Sequence, residues 1–272
     1  MINALTVDLE EWYHISGIDE FLKNIDLNKF ANRVLNNTIK LLDIFSQNKV
    51  KATFFVLGSI AERFPRLIRR IDEEGHEVAT HGFHHTPIYS QSRDDFSREL
   101  KDAINLLSDI IGKEIYGFRA PDFSITSKTM WAIDVLIQQG IRYDCSIFPI
   151  KHPRYGIPTA PRFAYKIKAG LIEFPPSTIR ILNFNFPVAG GAYLRILPYN
   201  IMKGAIRHLN KKNKPANIYI HPWEIDPEQP RIKMPIARHF MHYSNLYSTE
   251  KKIRSLLKTF KFAPVKEVLG IV

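Results

Sequence analysis

Cysteine is almost absent from this 272-residue chain, which contains only Cys145. A single thiol cannot form an intramolecular disulfide, so a disulfide-stabilised fold is excluded. No apolar run approaches the roughly 18 residues of a membrane-spanning helix. The first residues, Met1 to Asp8, lack the basic region and small-residue cleavage site of a secretion signal and instead resemble a strand. We therefore expect a cytoplasmic protein.

Acidic residues are few relative to basic ones, with 27 Asp and Glu against 38 Lys and Arg, and the formal net charge is +11. Such a surplus attracts anionic partners. The basic residues are scattered apart from short clusters at 211–214 and 251–254, and no nucleic-acid-binding motif or arginine-rich helix is present. We therefore expect no nucleic-acid partner. The charge has two interpretations. One is a solvated basic surface, and the other is attraction to an anionic partner, which would be the inner face of a membrane or a phosphate-linked glycan carrier.

Alternating apolar segments dominate the rest of the chain, which at 45% hydrophobic residues can bury a sizeable core. Strand-like patterns lie at 5–8, 52–57, 76–80, 116–119, 143–146 and 218–221. Helical periodicity separates most of them, with an expected break at Pro65, a helix from Ser92 to Gly112 and a last helix over 251–257. This alternation predicts an α/β fold with right-handed crossovers and a mostly parallel sheet.

The segment 148–198 differs from the rest because it is rich in proline, glycine and aromatic residues and lacks helical periodicity. We interpret it as a loop-rich insertion with short antiparallel strands over one face. No repeat, linker or clear domain boundary is visible. The sequence therefore predicts a single domain over residues 1–272, with a C-terminal part from about residue 199.

His81 and His85 stand four residues apart at the end of a predicted strand. On one helical turn this spacing points both imidazoles the same way, as a divalent metal requires. Alone, such a pair is more often two surface histidines than a metal site. The interpretation as a metal site therefore depends on polar residues elsewhere.

Three further predicted strands end in chemically active residues. In a parallel α/β sheet or barrel the carboxyl ends of the strands share one rim, where active sites lie. The residues concerned are Asp8, Glu10 and Glu11 after the first strand, Arg119 and Asp122 after the fourth, and His221 and Glu224 after the late one.

These residue types are suited to metal-assisted amide hydrolysis. Two histidines and one carboxylate make a three-ligand site with open positions. A second carboxylate can take a proton from water, an arginine keeps that carboxylate ionised, and a further histidine can protonate a leaving amine. Zinc is the default cation for such ligands, and cobalt, nickel, manganese or iron could replace it.

In their order along the chain, these motifs resemble those of the polysaccharide deacetylases of the NodB-homology type, carbohydrate esterase family 4. The resemblance rests on Thr6–Glu10 as the first acidic motif, His81 to His85 as the His-x-x-x-His motif, Arg119–Pro121 as the Arg-x-Pro motif, and Ile220–His221 as the late Leu-x-His motif. The chain is most similar to the subgroup associated with exopolysaccharide export, on the basis of Asp8–Trp12, Gly190–Arg195 and His221–Pro227.

The resemblance implies a distorted (β/α) barrel with fewer than eight strands and removal of acetyl from an N-acetylated amino sugar, in a bacterial polysaccharide or a lipid-linked glycan precursor. It also implies roles for individual residues. These are Asp8 as general base, Glu10, His81 and His85 as metal ligands, Arg119 as the partner of Asp8, His221 as general acid, and the backbone N–H near Asp122 as an oxyanion donor.

The chain departs from the family pattern directly after Asp8, where the usual metal-binding aspartate is replaced by Leu9. An alternating strand turns Leu9 away from Asp8. Glu10 lies on the same face as Asp8 and has a longer side chain, so we predict it as the ligand, with Glu11 as the alternative. Asp122 stands where many members have tyrosine.

Several aromatic and polar residues are candidates for substrate binding. Trp12 and Trp223 either belong to the core or form the wall of a pocket for the acetyl methyl or a sugar face. Tyr193 and Arg195 either contact substrate or belong to a glycine-flanked loop without such a role, and Arg195 would suit a phosphate or an acidic sugar. Asp122 completes this predicted set.

Two other functions stay open at this point. One is hydrolysis of a different amide on the same fold, by a deformylase or a cyclic-amide hydrolase. The other is a non-catalytic glycan-binding module. The oligomeric state is not predicted.

Overall fold

The computed structural model describes residues 1–14, 18–23, 25–27, 33–188 and 190–271. In this part of the chain one large sheet holds nine strands. Its strands are β1 Ile2–Leu9, β2 Thr53–Val56, β3 Glu77–Thr80, β4 Gly117–Phe118, β5 Tyr143–Asp144, β6 Tyr165–Lys168, β7 Leu171–Glu173, β10 Asn217–Ile220 and β11 Lys261–Ala263. A separate antiparallel hairpin pairs β8, Thr178–Ile181, with β9, Phe184–Pro187.

The sheet runs in the order β10-β1-β2-β3-β4-β5-β7-β6, and β11 pairs with the start of β1. The seven strands from β10 to β7 are mutually parallel, while β6 is antiparallel to β7. No pairing among the described strands joins β10 to β6, so the barrel is incomplete. The expected distorted (β/α) barrel is confirmed.

Helices connect the strands and cover the sheet. They are α1 Asp19–Leu22, α2 Arg33–Gln47, α3 Gly58–Arg63, α4 Pro65–Glu73, α5 Arg93–Ile111, α6 Ala132–Gln138, α7 Ala192–Ile196, α8 Tyr199–Lys211, α9 Ile236–Tyr243, α10 Leu246–Thr259 and α11 Val265–Leu269. Within the described residues, none of these helices is both long enough and apolar enough to cross a membrane.

Local sequence signals explain the limits of α5. The Ser92 hydroxyl accepts a hydrogen bond from the Asp95 backbone N–H at 3.1 Å and so caps the first turn. At the other end Gly112 adopts φ 67°, a left-handed conformation that costs glycine little and ends the helix. The expected break before Pro65 is also present, because Phe64 leaves helical geometry between α3 and α4.

The core forms where β1 meets the helices. Leu5, Val7 and Leu9 point into the largest hydrophobic cluster, which also includes side chains of α2, α4 and α8. Thr6 and Asp8 point to the opposite face of β1, where Arg119 contacts both. The alternation of β1 therefore turns Leu9 away from Asp8, as expected from a period of two residues.

Three features of the C-terminal half differ from expectation. The helix predicted as the last is α10, and β11 and α11 follow it. Within 148–198, β7 pairs in parallel with β5, so part of this segment extends the main sheet. The same segment also contains the whole of the α7 helix, whose five residues are too few to show periodicity.

Candidate active site

The polar ends of four parallel strands meet at one open cavity of about 360 Å³. Because parallel neighbours place their carboxyl ends at the same edge, residues far apart in sequence become neighbours here. The cavity is lined, among others, by Asp8 near the end of β1 and Glu10 directly after it, His81 and His85 after β3, Asp122 after β4, and His221 after β10.

Glu10, His81 and His85 form the candidate metal site. One potential ligand atom from each lies within 4.8 Å of the others. A Glu10 oxygen is 2.7 Å from His85 Nε2 and 3.8 Å from His81 Nε2. The Nδ1 atom of His81 lies 2.7 Å from the Arg119 carbonyl oxygen, which can only accept, so Nδ1 carries the proton and Nε2 presents its lone pair to the cluster. This donor set fits a divalent cation such as zinc.

The spacing of the two histidines predicted that they share one helical turn, and this prediction is wrong. Residues 81–85 form a loop in which Gly82 has φ 80° and His85 has φ 61°, and this path returns both rings to one site. Their ring centroids are 5.4 Å apart. The residue that organises the loop is Glu99 of α5, which accepts hydrogen bonds from the backbone N–H groups of residues 83 and 84, both at 3.0 Å. Glu99 had no distinguishing signal in the sequence.

The two candidate carboxylates, Glu10 and Glu11, occupy different environments. Burial raises the pKa of Glu10, but the charges of His85 and His221 lower it more, so that Glu10 remains anionic. Glu11 points elsewhere, with one oxygen 3.8 Å from Arg63. Burial raises the pKa of Glu11 to about 7 despite that arginine. Of the two, Glu10 is the carboxylate beside the histidines.

Asp8 is held by Arg119, which is completely buried behind it. The same Nη1 atom that pairs with Asp8 also donates to Thr6 Oγ1 at 2.9 Å, and Nε donates to the Cys145 carbonyl oxygen at 3.3 Å. The guanidinium carbon lies 4.2 Å from the centre of the Phe55 ring. Several contacts thus fix Arg119, and with it one oxygen of Asp8.

His221 lies across the cavity from the histidine pair. Its Nε2 atom is 3.8 Å from Asp8 and 3.5 Å from Glu10, while Nδ1 is 3.3 Å from Glu224. Burial lowers the pKa of His221, but the carboxylates of Glu10, Glu224 and Asp8 raise it more, to about 9. The ring is therefore a cation at neutral pH.

Trp223 reaches the cavity and packs against this histidine. The two rings stack with centroids 5.0 Å apart and planes 20° from parallel, and the indole N–H donates to Glu10 at 3.3 Å. Trp12 does not reach it: only 1% of this residue is exposed, and it packs in a cluster with Ile18, Trp223 and Ile232. The core alternative therefore describes Trp12, and its expected contact with substrate is not supported.

Arg195 borders the cavity, yet its guanidinium is already engaged. It pairs with Glu224, and its Nη2 atom donates to the Met241 carbonyl oxygen at 2.6 Å. Both partners of the pair are buried. The structure thus places Arg195 behind Glu224 and His221, and the expected role in binding a phosphate or acidic sugar is not supported by this position.

The remaining predicted substrate residues, Asp122 and Tyr193, line the cavity and are partly exposed. Asp122 adopts φ 56°, which is unusual for a residue other than glycine and marks the turn after β4. His14 also lines the cavity and stacks on His85, with centroids 5.2 Å apart and planes 10° from parallel. Burial and the charge of His85 lower the pKa of His14 to about 3, so this ring is neutral.

The fold is thus an incomplete parallel barrel. It carries a candidate metal site, made of one carboxylate and two histidines, at the carboxyl ends of its strands. Residues 30–143 match the family model described as polysaccharide deacetylase, and residues 145–270 match a domain of unknown function, DUF3473. The chain carries a polysaccharide deacetylase domain of the NodB-homology, carbohydrate esterase family 4 type.

Curated relatives match parts of the chain. A peptidoglycan-N-acetylglucosamine deacetylase of Bacillus cereus is 29% identical over 122 residues, covering 40% of this chain and 44% of the relative. A chitooligosaccharide deacetylase of Sinorhizobium fredii is 41% identical over 66 residues, covering 24% and 31%. A peptidoglycan deacetylase of Helicobacter pylori is 29% identical over 148 residues, covering 53% and 48%. The matched stretches thus span less than half of each of these relatives.

Solved structures share the fold over nearly the whole chain. A Mycobacterium smegmatis protein assigned as a polysaccharide deacetylase has a TM-score of 0.60 at 19% identity, covering 98% of this chain and 88% of that one. The peptidoglycan deacetylase PdaC of Bacillus subtilis has a TM-score of 0.51 at 15% identity, covering 99% and 90%. At these identities the likeness concerns the fold alone.

Proposed function

We propose that this protein is a metal-dependent N-deacetylase that hydrolyses the acetamide of an amino sugar and releases acetate. The observation that supports this most directly is the convergence of a paired carboxylate, a carboxylate with two histidines and a cationic histidine around one cavity. The deacetylase domain and the carbohydrate deacetylases among the relatives support the same reaction class.

Glu10, His81 and His85 are the residues that would hold the cation. When bound there, a divalent cation would polarise an amide carbonyl and make a water molecule more acidic. The hydrogen bond from His81 to the Arg119 carbonyl oxygen orients one of these ligands in advance.

Asp8 is the proposed general base. Its pairing with the buried Arg119 fixes one carboxylate oxygen and leaves the second directed toward His221 and the cavity. From there it can accept a proton from the attacking water as the water oxygen bonds to the acetyl carbon.

His221 is the proposed general acid. Its ring is a cation at neutral pH and faces the cavity opposite the histidine pair. It can therefore donate a proton to the amide nitrogen as the carbon–nitrogen bond breaks, so that the products are acetate and the free amino sugar. This transfer lets the nitrogen leave as a neutral amine and avoids the expulsion of a strongly basic amide anion.

The site joins three parts of the chain. Asp8 and Glu10 precede both matched stretches, His81, His85 and Arg119 lie within 30–143, and His221 lies within 145–270. Because β1 pairs with β10 on one side, over Ala4–Val7, and with β2 on the other, both matched stretches lie in one sheet. We propose that residues 1–272 act as one domain, and that its substrate is a bacterial exopolysaccharide or a lipid-linked precursor, as the similarity to the export-associated subgroup suggests.

Acetate release tests this proposal. The purified protein, loaded with zinc, would be incubated with N-acetylated chitooligosaccharides, with peptidoglycan fragments and with an N-formylated amino sugar while acetate and formate are measured. Asp8→Asn should lower acetate release at least about 100-fold, because a general base contributes roughly 10²–10⁴ in rate. Asp109→Asn, the same change at an exposed position of α5, is the matched control and should be unchanged.

The alternatives give different results in the same assay. Formate release without acetate would indicate a deformylase. Tight glycan binding without any hydrolysis, or an Asp8→Asn enzyme at the wild-type rate, would contradict the proposed reaction.

A further inference from the structure

An exposed apolar surface lies on α9, outside the cavity. Ile236 is 89% exposed and Phe240 is 56% exposed, and their spacing of four residues places them on one side of the helix. We call these two side chains the α9 face. Exposed apolar side chains that lie side by side make this surface a candidate interaction site.

The charged residues in the chain segment that carries the α9 face have one sign. Residues 229–249 contain no aspartate or glutamate, and they include the exposed bases Arg231, Lys233 and Arg238. The chain as a whole carries a net charge of +11. This combination of exposed apolar side chains and flanking bases is the composition of a segment that lies in the interface of an anionic bilayer.

The position of α9 connects this surface to the candidate active site. The side of the helix next to the α9 face contributes Ala237, Arg238 and Met241 to the wall of the cavity. The apolar side chains therefore project from the rim of the cavity, so anything that binds them lies next to its opening.

We propose that the α9 face docks on an anionic lipid bilayer and thereby brings the opening of the cavity to the membrane surface. Ile236 and Phe240 enter the apolar boundary while the three bases contact lipid phosphates. A second copy of the chain is a poorer occupant, because a symmetric contact would bring the same bases of both copies together. The consequence that the sugar substrate is carried on a lipid rests on the proposed function.

Vesicle co-sedimentation tests the docking directly. The full chain would be mixed with vesicles of phosphatidylglycerol and phosphatidylcholine, or of phosphatidylcholine alone, at low and high salt. The double variant Ile236→Asp/Phe240→Asp removes the α9 face. Leu182→Asp/Phe184→Asp is the matched control, because those side chains are 88% and 72% exposed at the tip of the β8–β9 hairpin.

We expect the wild type and the hairpin variant to bind the anionic vesicles, more weakly at high salt, and the α9 variant to bind at least about tenfold more weakly. All three should have the same thermal unfolding midpoint and the same rate on a water-soluble substrate.

The proposal is overturned if the wild type does not bind anionic vesicles, or if the hairpin variant loses binding while the α9 variant keeps it. It is also overturned if the wild type is a dimer that the α9 variant dissociates, since a second copy then covers the face. Vesicle binding by Asp8→Asn separates the two proposals, because that variant should dock normally even if no deacetylase activity is ever found.

Discussion

The buried pair formed by Arg195 and Glu224 allows a quantitative test of how the structure supports His221. Glu224 accepts a hydrogen bond from the His221 backbone N–H at 2.9 Å and lies 3.3 Å from its Nδ1 atom. Glu224→Gln preserves the shape of the side chain and removes its charge. Arg195 then remains buried without the carboxylate that balances its charge, although the Gln amide oxygen and the Met241 carbonyl oxygen can still accept hydrogen bonds from it.

The expected loss of unfolding free energy is about 3–5 kcal/mol, the usual cost of removing one partner of a buried ion pair. Arg195→Met/Glu224→Gln should recover a large part of it, because no uncompensated charge is then buried. The single variant Arg195→Met completes the comparison. If the losses of unfolding free energy in Glu224→Gln and Arg195→Met simply add in the double variant, the two side chains are not coupled and the interpretation is wrong.

The effect also depends on pH. A pKa of His221 that is raised from 6.5 to about 9 corresponds to about 3 kcal/mol, shared among Glu10, Glu224 and Asp8. Because this pKa is raised on folding, the contribution is fully present below pH 6.5 and disappears as the pH rises through 9. Glu224→Gln should therefore cost more at pH 6 than at pH 10.

Urea denaturation of the metal-depleted protein at both pH values measures the two free energies, and an NMR titration of His221 measures its pKa. We expect that pKa to be lower in both variants that lack Glu224. A loss below about 1 kcal/mol at pH 6, or an unchanged pKa, would refute the reasoning.

Two further pairs of variants test the site and the sheet. Glu10→Gln should weaken zinc binding, measured by calorimetry, at least about 100-fold, because loss of a ligand lowers metal affinity by more than the roughly 10- to 100-fold caused by loss of a supporting residue. Glu11→Gln should bind zinc normally. If Glu11→Gln weakens zinc binding and Glu10→Gln does not, Glu11 is the ligand. Gly117→Ala should cost about 1–3 kcal/mol in urea denaturation, because the added Cβ would lie 2.1 Å from the buried Tyr143 ring. Gly204→Ala, with open space around a helical position, should instead gain about 0.5–1 kcal/mol, and equal effects at the two glycines would contradict this account of the packing.

The sequence by itself determined which residues can meet. Strands with a period of two residues and helices with a period of 3.6 predicted a parallel α/β fold, and such a fold places the carboxyl ends of its strands at one edge. Asp8, His81 and His221 each stand at the end of a predicted strand or directly after it, so their meeting at one cavity was predictable, as was the position of Arg119 at the same edge of the sheet. The limits of α5 were predictable as well, because Ser92 and Gly112 act through backbone bonds close in sequence.

Only the tertiary structure decided which neighbouring side chain faces which partner. Glu10 and Glu11 are adjacent and chemically alike, and the difference lies in the distant His85 and Arg63 that each one meets. The residue type of Arg195 alone suits substrate binding, but in the folded chain its guanidinium pairs with Glu224. Periodicity reports the local direction of a side chain, whereas its charged partner depends on long-range packing, which leaves no pattern in the nearby sequence.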